Sequence, residues 1–211
     1  MRRGIAAVAL LLVIAACVDD RGPTDVPLLG GGEPAASPGA TPRAGGPVLA
    51  IGDSIMVGAD DHGHLGAILS LDGWELETVA EPGRSTRWAV DEIEDREVRV
   101  PRHVIVALGS NPGFSSDGFE QDVEDLRSLL IERGARRILW IPPYHTDPER
   151  YATKLSILSV VDRAERRMVV APWGRVLDDH PEWVTGDGIH LSEDGYTALA
   201  AFIAGWLERL V

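Results

Sequence analysis

Five short apolar runs mark the chain beyond residue 47: Val48–Ile51, Trp74–Val79, His103–Leu108, Arg137–Ile141 and Met168–Val170. Runs of this length read as strands, and Val104–Leu108 as a buried parallel one. Each is followed by a helical or loop segment, and that alternation predicts a parallel sheet. Helical periodicity is clearest in Phe119–Arg133, where Val123, Leu126, Leu129 and Leu130 share a face, and in Ser192–Leu210, with Ser192 as N-cap and Glu193 in the first turn. No internal repeat is present. The 164 residues from Val48 onward are enough for one α/β domain with a substantial core.

The N-terminal part follows a different pattern. Arg2 and Arg3 precede an apolar stretch from Gly4 to Ala16, too short to span a bilayer, which reads as an export signal over residues 1–16. Ile14, Ala15 and Ala16 lead into Cys17, the single cysteine of the chain, in the pattern of a bacterial lipobox. There the cysteine becomes the lipidated N-terminus after cleavage. A buried structural cysteine is the usual role of a lone Cys, and an uncleaved anchor is the plainer alternative. Residues 18–47 carry six prolines, many glycines and almost no large apolar side chains. Such a composition buries no core, so residues 17–47 read as a lipidated cysteine followed by a disordered tether.

Charge sharpens this picture. The whole chain has 20 basic and 33 acidic residues, a formal net charge of −13. Cleavage before Cys17 would remove Arg2 and Arg3, leaving 18 basic residues and a charge of −15. That balance argues against a nucleic-acid partner and against tight adsorption to anionic lipid. The expected molecule is an extracytoplasmic monomer held at the membrane by its lipid.

The chemistry lies at the two ends of the domain. Gly52, Asp53, Ser54 and Ile55 close the first strand, and Asp187, Gly188, Ile189 and His190 precede the last helix. A serine hydroxyl is a poor nucleophile at neutral pH unless an imidazole takes its proton and a carboxylate orients that imidazole. An Asp three residues before a His can do this within one turn, leaving Nε2 free for Ser54. Each motif also has an ordinary reading: Asp53 or Ser54 can simply cap a helix, and Asp-Gly is a common turn.

These residues resemble the SGNH or GDSL-like hydrolases over about Val48 to the C-terminus. Four blocks carry the resemblance in the family order: Ile51 to Met56, Glu81 to Arg84, Leu108 to Pro112, and Asp187 to Ser192. The resemblance implies a three-layer α/β/α sandwich, flavodoxin-like, with a five-stranded mostly parallel sheet. It also implies Ser54 as nucleophile, His190 as base, Asp187 as its orienter, and an oxyanion hole made by the Ser54 and Gly83 N–H groups and the Asn111 side chain. Asn111 follows the strand-like His103–Leu108, at the end of a strand where open α/β sheets place their sites. Asn111 before Pro112 can equally be a turn, and Pro82-Gly83 a type II turn. The sequence departs from the family at Pro112, where an aspartate usually braces the loop, and at Glu81 and Pro82, which precede the glycine where an asparagine is usual. The stretch from Asp53 to Gly58 and the Asp187 block are most similar to the extracytoplasmic SGNH domains of glycan O-acyltransferases.

Other constellations carry less. Asp60, Asp61, His62 and His64 read as solvated surface rather than metal ligands, and no metal or cofactor is expected. Neither a phosphate-binding P-loop nor a dinucleotide fingerprint is present, and no Gly-x-Ser-x-Gly elbow occurs. Tyr144, His145, Trp173, His180 and Trp183 are possible pocket walls, each with packing or rim as its ordinary role. The expected function is an exported serine esterase or O-acyltransferase on a small-molecule or glycan acyl ester, O-acetylated cell-envelope glycans being favoured. A small lipase or thioesterase and a non-catalytic glycan-binding lipoprotein are the alternatives; an intact Ser54, Asp187 and His190 disfavours the latter.

Overall fold

The structure is a computed structural model that describes residues 45–96, 98–111, 116–164 and 166–211, except the side chains of 116 and 117. Cys17, the expected export signal and the tether as far as residue 44 lie outside the described residues, as does Pro112.

Five parallel strands form one sheet: β1 (Pro47–Gly52), β2 (Glu75–Ala80), β3 (His103–Ala107), β4 (Arg137–Ile141) and β5 (Met168–Val170). Their order is β2-β1-β3-β4-β5, so the chain reverses its direction of travel across the sheet between β1 and β3. Register follows the apolar runs, with Leu49 beside Val104 and Val104 beside Ile138. The expected five-stranded parallel sheet is therefore present.

Strand alternation divides the core in two. Val48, Ala50, Ile105, Ala107, Leu139 and Ile141 point to one face, where they meet α1 (Ser54–Asp61), α2 (Leu65–Leu71), α6 (Trp173–Asp179) and the last helix, α7 (Glu193–Leu210). Leu49, Ile51, Val104, Val106, Ile138 and Trp140 point to the other, against α3 (Thr86–Asp95), α4 (Ser116–Glu132) and α5 (Ala152–Ala164). These central strands are apolar beyond their first residues because both faces are covered. Truncating a fully buried strand residue such as Leu139 should cost about 2–5 kcal/mol.

Capping sets where the helices begin, and one cap matters for the site. Asp53 leaves β1 in an extended conformation and accepts the Ile55 N–H at 3.0 Å, starting α1 at Ser54. Ser192 caps α7 by accepting the Gly195 N–H at 3.2 Å, as its sequence predicts. Among the described residues no helix is long and apolar enough to cross a membrane.

Candidate active site

The topology places β1 and β3 side by side with their following loops at the same sheet edge, the crevice where open α/β sheets bind ligands. Ser54 opens α1 at the end of β1. As the first residue of that helix, its N–H has no intrahelical acceptor and lies at the positive end of the helix dipole. Ser54 Oγ lies 2.9 Å from His190 Nε2, although 136 residues separate them.

His190 arrives on a short loop that its own residues tie together. Val184 bridges Leu191 in antiparallel fashion, the Thr185 N–H donates to the His190 carbonyl at 2.8 Å, and the Gly188 N–H donates to the Thr185 carbonyl at 2.9 Å. Gly188 takes φ +77°, and a β-carbon there would come within 2.5 Å of Thr146 Oγ1, so the tight loop requires glycine. The fold of this loop turns both acid and base the same way: His190 Nδ1 is 2.6 Å from Asp187 Oδ2.

Asp187 is heavily engaged despite its exposure. Its Oδ1 accepts the Ile189 N–H at 2.9 Å and the His190 N–H at 3.0 Å, and the Thr185 hydroxyl lies at 2.9 Å. The hydrogen bond to His190, then those two backbone donors, hold its carboxyl well below the usual range, so it stays ionised at neutral pH. Thr185 was not singled out in the sequence; its position two residues before Asp187 is the only signal.

The residue beside the nucleophile is the less obvious part of the site. Asp53 is fully buried, and its Oδ2 accepts Asn111 Nδ2 at 2.9 Å. Burial pushes its carboxyl up to about 6, against hydrogen bonds from the Ile55 N–H, Asn111 and the Ser110 N–H that favour the anion. Asn111 Nδ2 also reaches the Arg84 carbonyl at 3.2 Å. Both ordinary readings offered for Asp53 and Asn111 thus have a counterpart here: Asp53 caps α1, and Asn111 stands in the loop after β3. Gly83 sits in the turn after β2 with φ +81°, the conformation a type II turn asks of its third residue, and Pro82 before it borders the site.

An open hollow borders Ser54, and a narrow crevice borders its neighbour Ile55. The larger, about 420 Å³, is open and lined by Ser54, Gly58, His62, Pro82, His190, Glu193 and Tyr196 among others. The smaller is a narrow apolar crevice of about 10 Å³ between Ile55, Ser110, Ile141, Tyr144, Trp173 and Ile189. Tyr144 and Trp173 are thus walls, whereas His145 accepts the Asp147 N–H and His180 stacks on Trp183 at 3.9 Å, away from both hollows. Of the acidic and histidine cluster, Asp60 accepts the Thr78 hydroxyl and the Gly66 N–H, and His62 borders the larger hollow. Among the described residues no group of three or more His, Cys, Asp or Glu side chains could hold a metal ion.

No protein-family model matches the chain. Among curated proteins, it is 26% identical over 160 residues to a Bacillus subtilis (strain 168) protein named as a peptidoglycan O-acetyltransferase, YrhL. That match covers 74% of this chain but only 23% of YrhL, so the chain spans about a quarter of its curated relative. Among solved structures it resembles the C-terminal catalytic domain of Streptococcus pneumoniae peptidoglycan O-acetyltransferase A (OatA), which carries a methylsulfonyl adduct. Identity is 23% and the TM-score 0.61, covering 79% of this chain and 94% of that one. A Desulfitobacterium hafniense DCB-2 protein assigned to the G-D-S-L family of lipolytic proteins matches with a TM-score of 0.62 at 15% identity, covering 75% of this chain and 98% of that one. The chain has the SGNH hydrolase fold. Within that fold Ser54, Asp187 and His190 stand at the sheet edge where β1 and β3 end.

Proposed function

We propose that the chain is an exported serine esterase or O-acyltransferase that works on acyl esters through an acyl-enzyme, with O-acetylated cell-envelope glycans as the favoured substrate. The observation that carries this reading is the continuous path from Ser54 Oγ to His190 Nε2 at 2.9 Å and from His190 Nδ1 to Asp187 at 2.6 Å.

Ser54 Oγ attacks the acyl carbonyl while its proton passes to His190 Nε2, and ionised Asp187 stabilises the imidazolium. The carbonyl oxygen becomes an oxyanion, received by the Ser54 and Gly83 N–H groups and by Asn111 Nδ2. To serve it, Asn111 keeps its hydrogen on Asp53 and exchanges the longer contact to the Arg84 carbonyl for the oxyanion. Each such preorganised donor is worth roughly 3–4 kcal/mol. Collapse breaks the ester C–O bond, and the leaving alcohol takes the proton from His190. Water or a glycan hydroxyl then attacks the acyl-serine by the same route, giving hydrolysis or transfer.

The shape of the site favours a small acyl group on a large polar alcohol. A crevice of about 10 Å³ has room for little more than one water-sized group, whereas the hollow of about 420 Å³ offers His62, Ser192, Glu193 and Tyr196 to a hydroxylated partner. The sequence supports the remainder of the reading: a signal over 1–16, a lipid on Cys17, a tether to residue 47 and a monomeric catalytic domain over 48–211. Incubating the purified chain with 4-nitrophenyl acetate, with and without a chitooligosaccharide acceptor, tests the proposal. Turnover that needs Ser54 supports it, acetylated acceptor identifies transfer, and no turnover by the wild type counts against it.

A further inference from the structure

The loop that carries Asn111 is gripped from both sides. On one side Asp53 takes the Ser110 N–H and Asn111 Nδ2. On the other, three successive carbonyls, those of Gly109, Ser110 and Asn111, are taken by side chains at the start of α5. Tyr151 donates its hydroxyl to the Ser110 carbonyl at 2.6 Å, and Lys154 Nζ donates to the Gly109 carbonyl at 2.7 Å and to the Asn111 carbonyl at 3.2 Å.

Lysine is an unusual residue to spend in this way. Its ammonium is strongly hydrated and normally keeps its head in water. Here it lies instead over the rings of Phe119, at 5.0 Å, and Tyr151, at 5.5 Å, and burial lowers its proton affinity. Such a placement costs solvation and persists only where the contacts made are worth more. Pro112, next in the chain, has neither an N–H nor a polar side chain with which to donate a hydrogen bond.

We infer that Lys154, assisted by Tyr151, is a positioning residue for the reaction: by pinning the Gly109, Ser110 and Asn111 carbonyls it holds the Asn111 carboxamide where the oxyanion forms. This rests on the esterase reading above for its kinetic consequence. Lys154 touches no reacting atom; it acts through Asn111.

A double-mutant cycle on the full chain tests this with 4-nitrophenyl acetate as substrate. Lys154→Met should lower kcat about ten- to a hundredfold with KM within about twofold, since misplacing a donor acts on the transition state. Lys154→Arg, which keeps the charge and donors, should recover part of that loss. In an Asn111→Ala background, Lys154→Met should cost less than about twofold more, because the residue it positions is already gone. An unchanged kcat in Lys154→Met, or the same fold-loss in both backgrounds, overturns the inference. If Lys154→Met does not fold, Tyr151→Phe in the same cycle decides by the same criteria. If the wild type shows no Ser54-dependent turnover, the esterase reading fails separately, and hydrogen exchange of the Asn111 side-chain amide decides the positioning role. Exchange at least about fivefold faster in Lys154→Met or Tyr151→Phe supports it, and unchanged exchange overturns it.

Discussion

Asn111 donates from Nδ2 to the carboxylate of Asp53, 58 residues earlier, at 2.9 Å, so the residue that caps the nucleophile's helix also holds the candidate oxyanion donor. One buried side chain thereby joins the ends of β1 and β3.

Asp53→Asn should separate activity from stability. An asparagine at 53 can still accept the Ile55 N–H, but its amide would confront the Asn111 amide, donor against donor. Asn111 must then turn its carbonyl oxygen toward the site, and kcat should fall by about a hundredfold with KM little changed. Steady-state kinetics beside a urea melt at pH 7 check this; full activity would show that the Asp53 contact does not aim Asn111.

The same residue predicts a pH dependence of stability. Folding raises the Asp53 pKa from 3.8 to about 6, so the unfolded chain ionises first. Its favourable contribution is fully present below pH 3.8 and is lost as pH rises through about 6, a change on the order of 3 kcal/mol. Asp53→Asn lacks that loss. Urea denaturation across pH 4–8 should therefore show the variant gaining on the wild type between pH 4 and 6 and holding that gain above it.

Asp187 has the opposite sign. Its pKa is depressed in the fold by His190 and the loop N–H groups, so the stability it contributes is present above pH 3.8 and lost as pH falls further. Asp187→Asn should flatten that acid limb. In catalysis an amide at 187 can donate to His190 Nδ1 and select the tautomer whose Nε2 carries hydrogen, unable to take the serine proton. The loss in kcat at neutral pH should be about a thousandfold or more.

Cys17 is expected to carry lipid. Labelled palmitate should enter the wild-type chain in cells and be absent from Cys17→Ser, which should leave the membrane fraction. Equal labelling of both would reject the anchor.

What the sequence made legible follows from the range of the interactions. The central strands β1, β3 and β4 could be read because burial on both faces leaves apolar runs, whereas the edge strand β2 keeps exposed Glu75 and Glu77; the ends of the runs shift slightly. Trp74 packs in the core before β2 begins at Glu75, and Leu108 leaves the ladder as the chain turns at Gly109. The shorter helices α1 and α2, of eight and seven residues, offer too few turns for periodicity to stand out. Asp187 and His190 were legible because three residues of spacing suffice to join them. Asp53 with Asn111, and Tyr151 and Lys154 with the loop after β3, meet only through the fold, and no local spacing encodes contacts between positions about forty to sixty apart.

The most direct test of the account is the intact mass of the full chain after treatment with a sulfonyl fluoride that labels activated serines. One adduct per molecule, mapped to the peptide containing Ser54, abolished in Ser54→Ala and strongly slowed in His190→Ala, is the predicted result. An unlabelled wild-type chain, or an adduct that persists in Ser54→Ala, would contradict the assignment of Ser54 as an activated nucleophile.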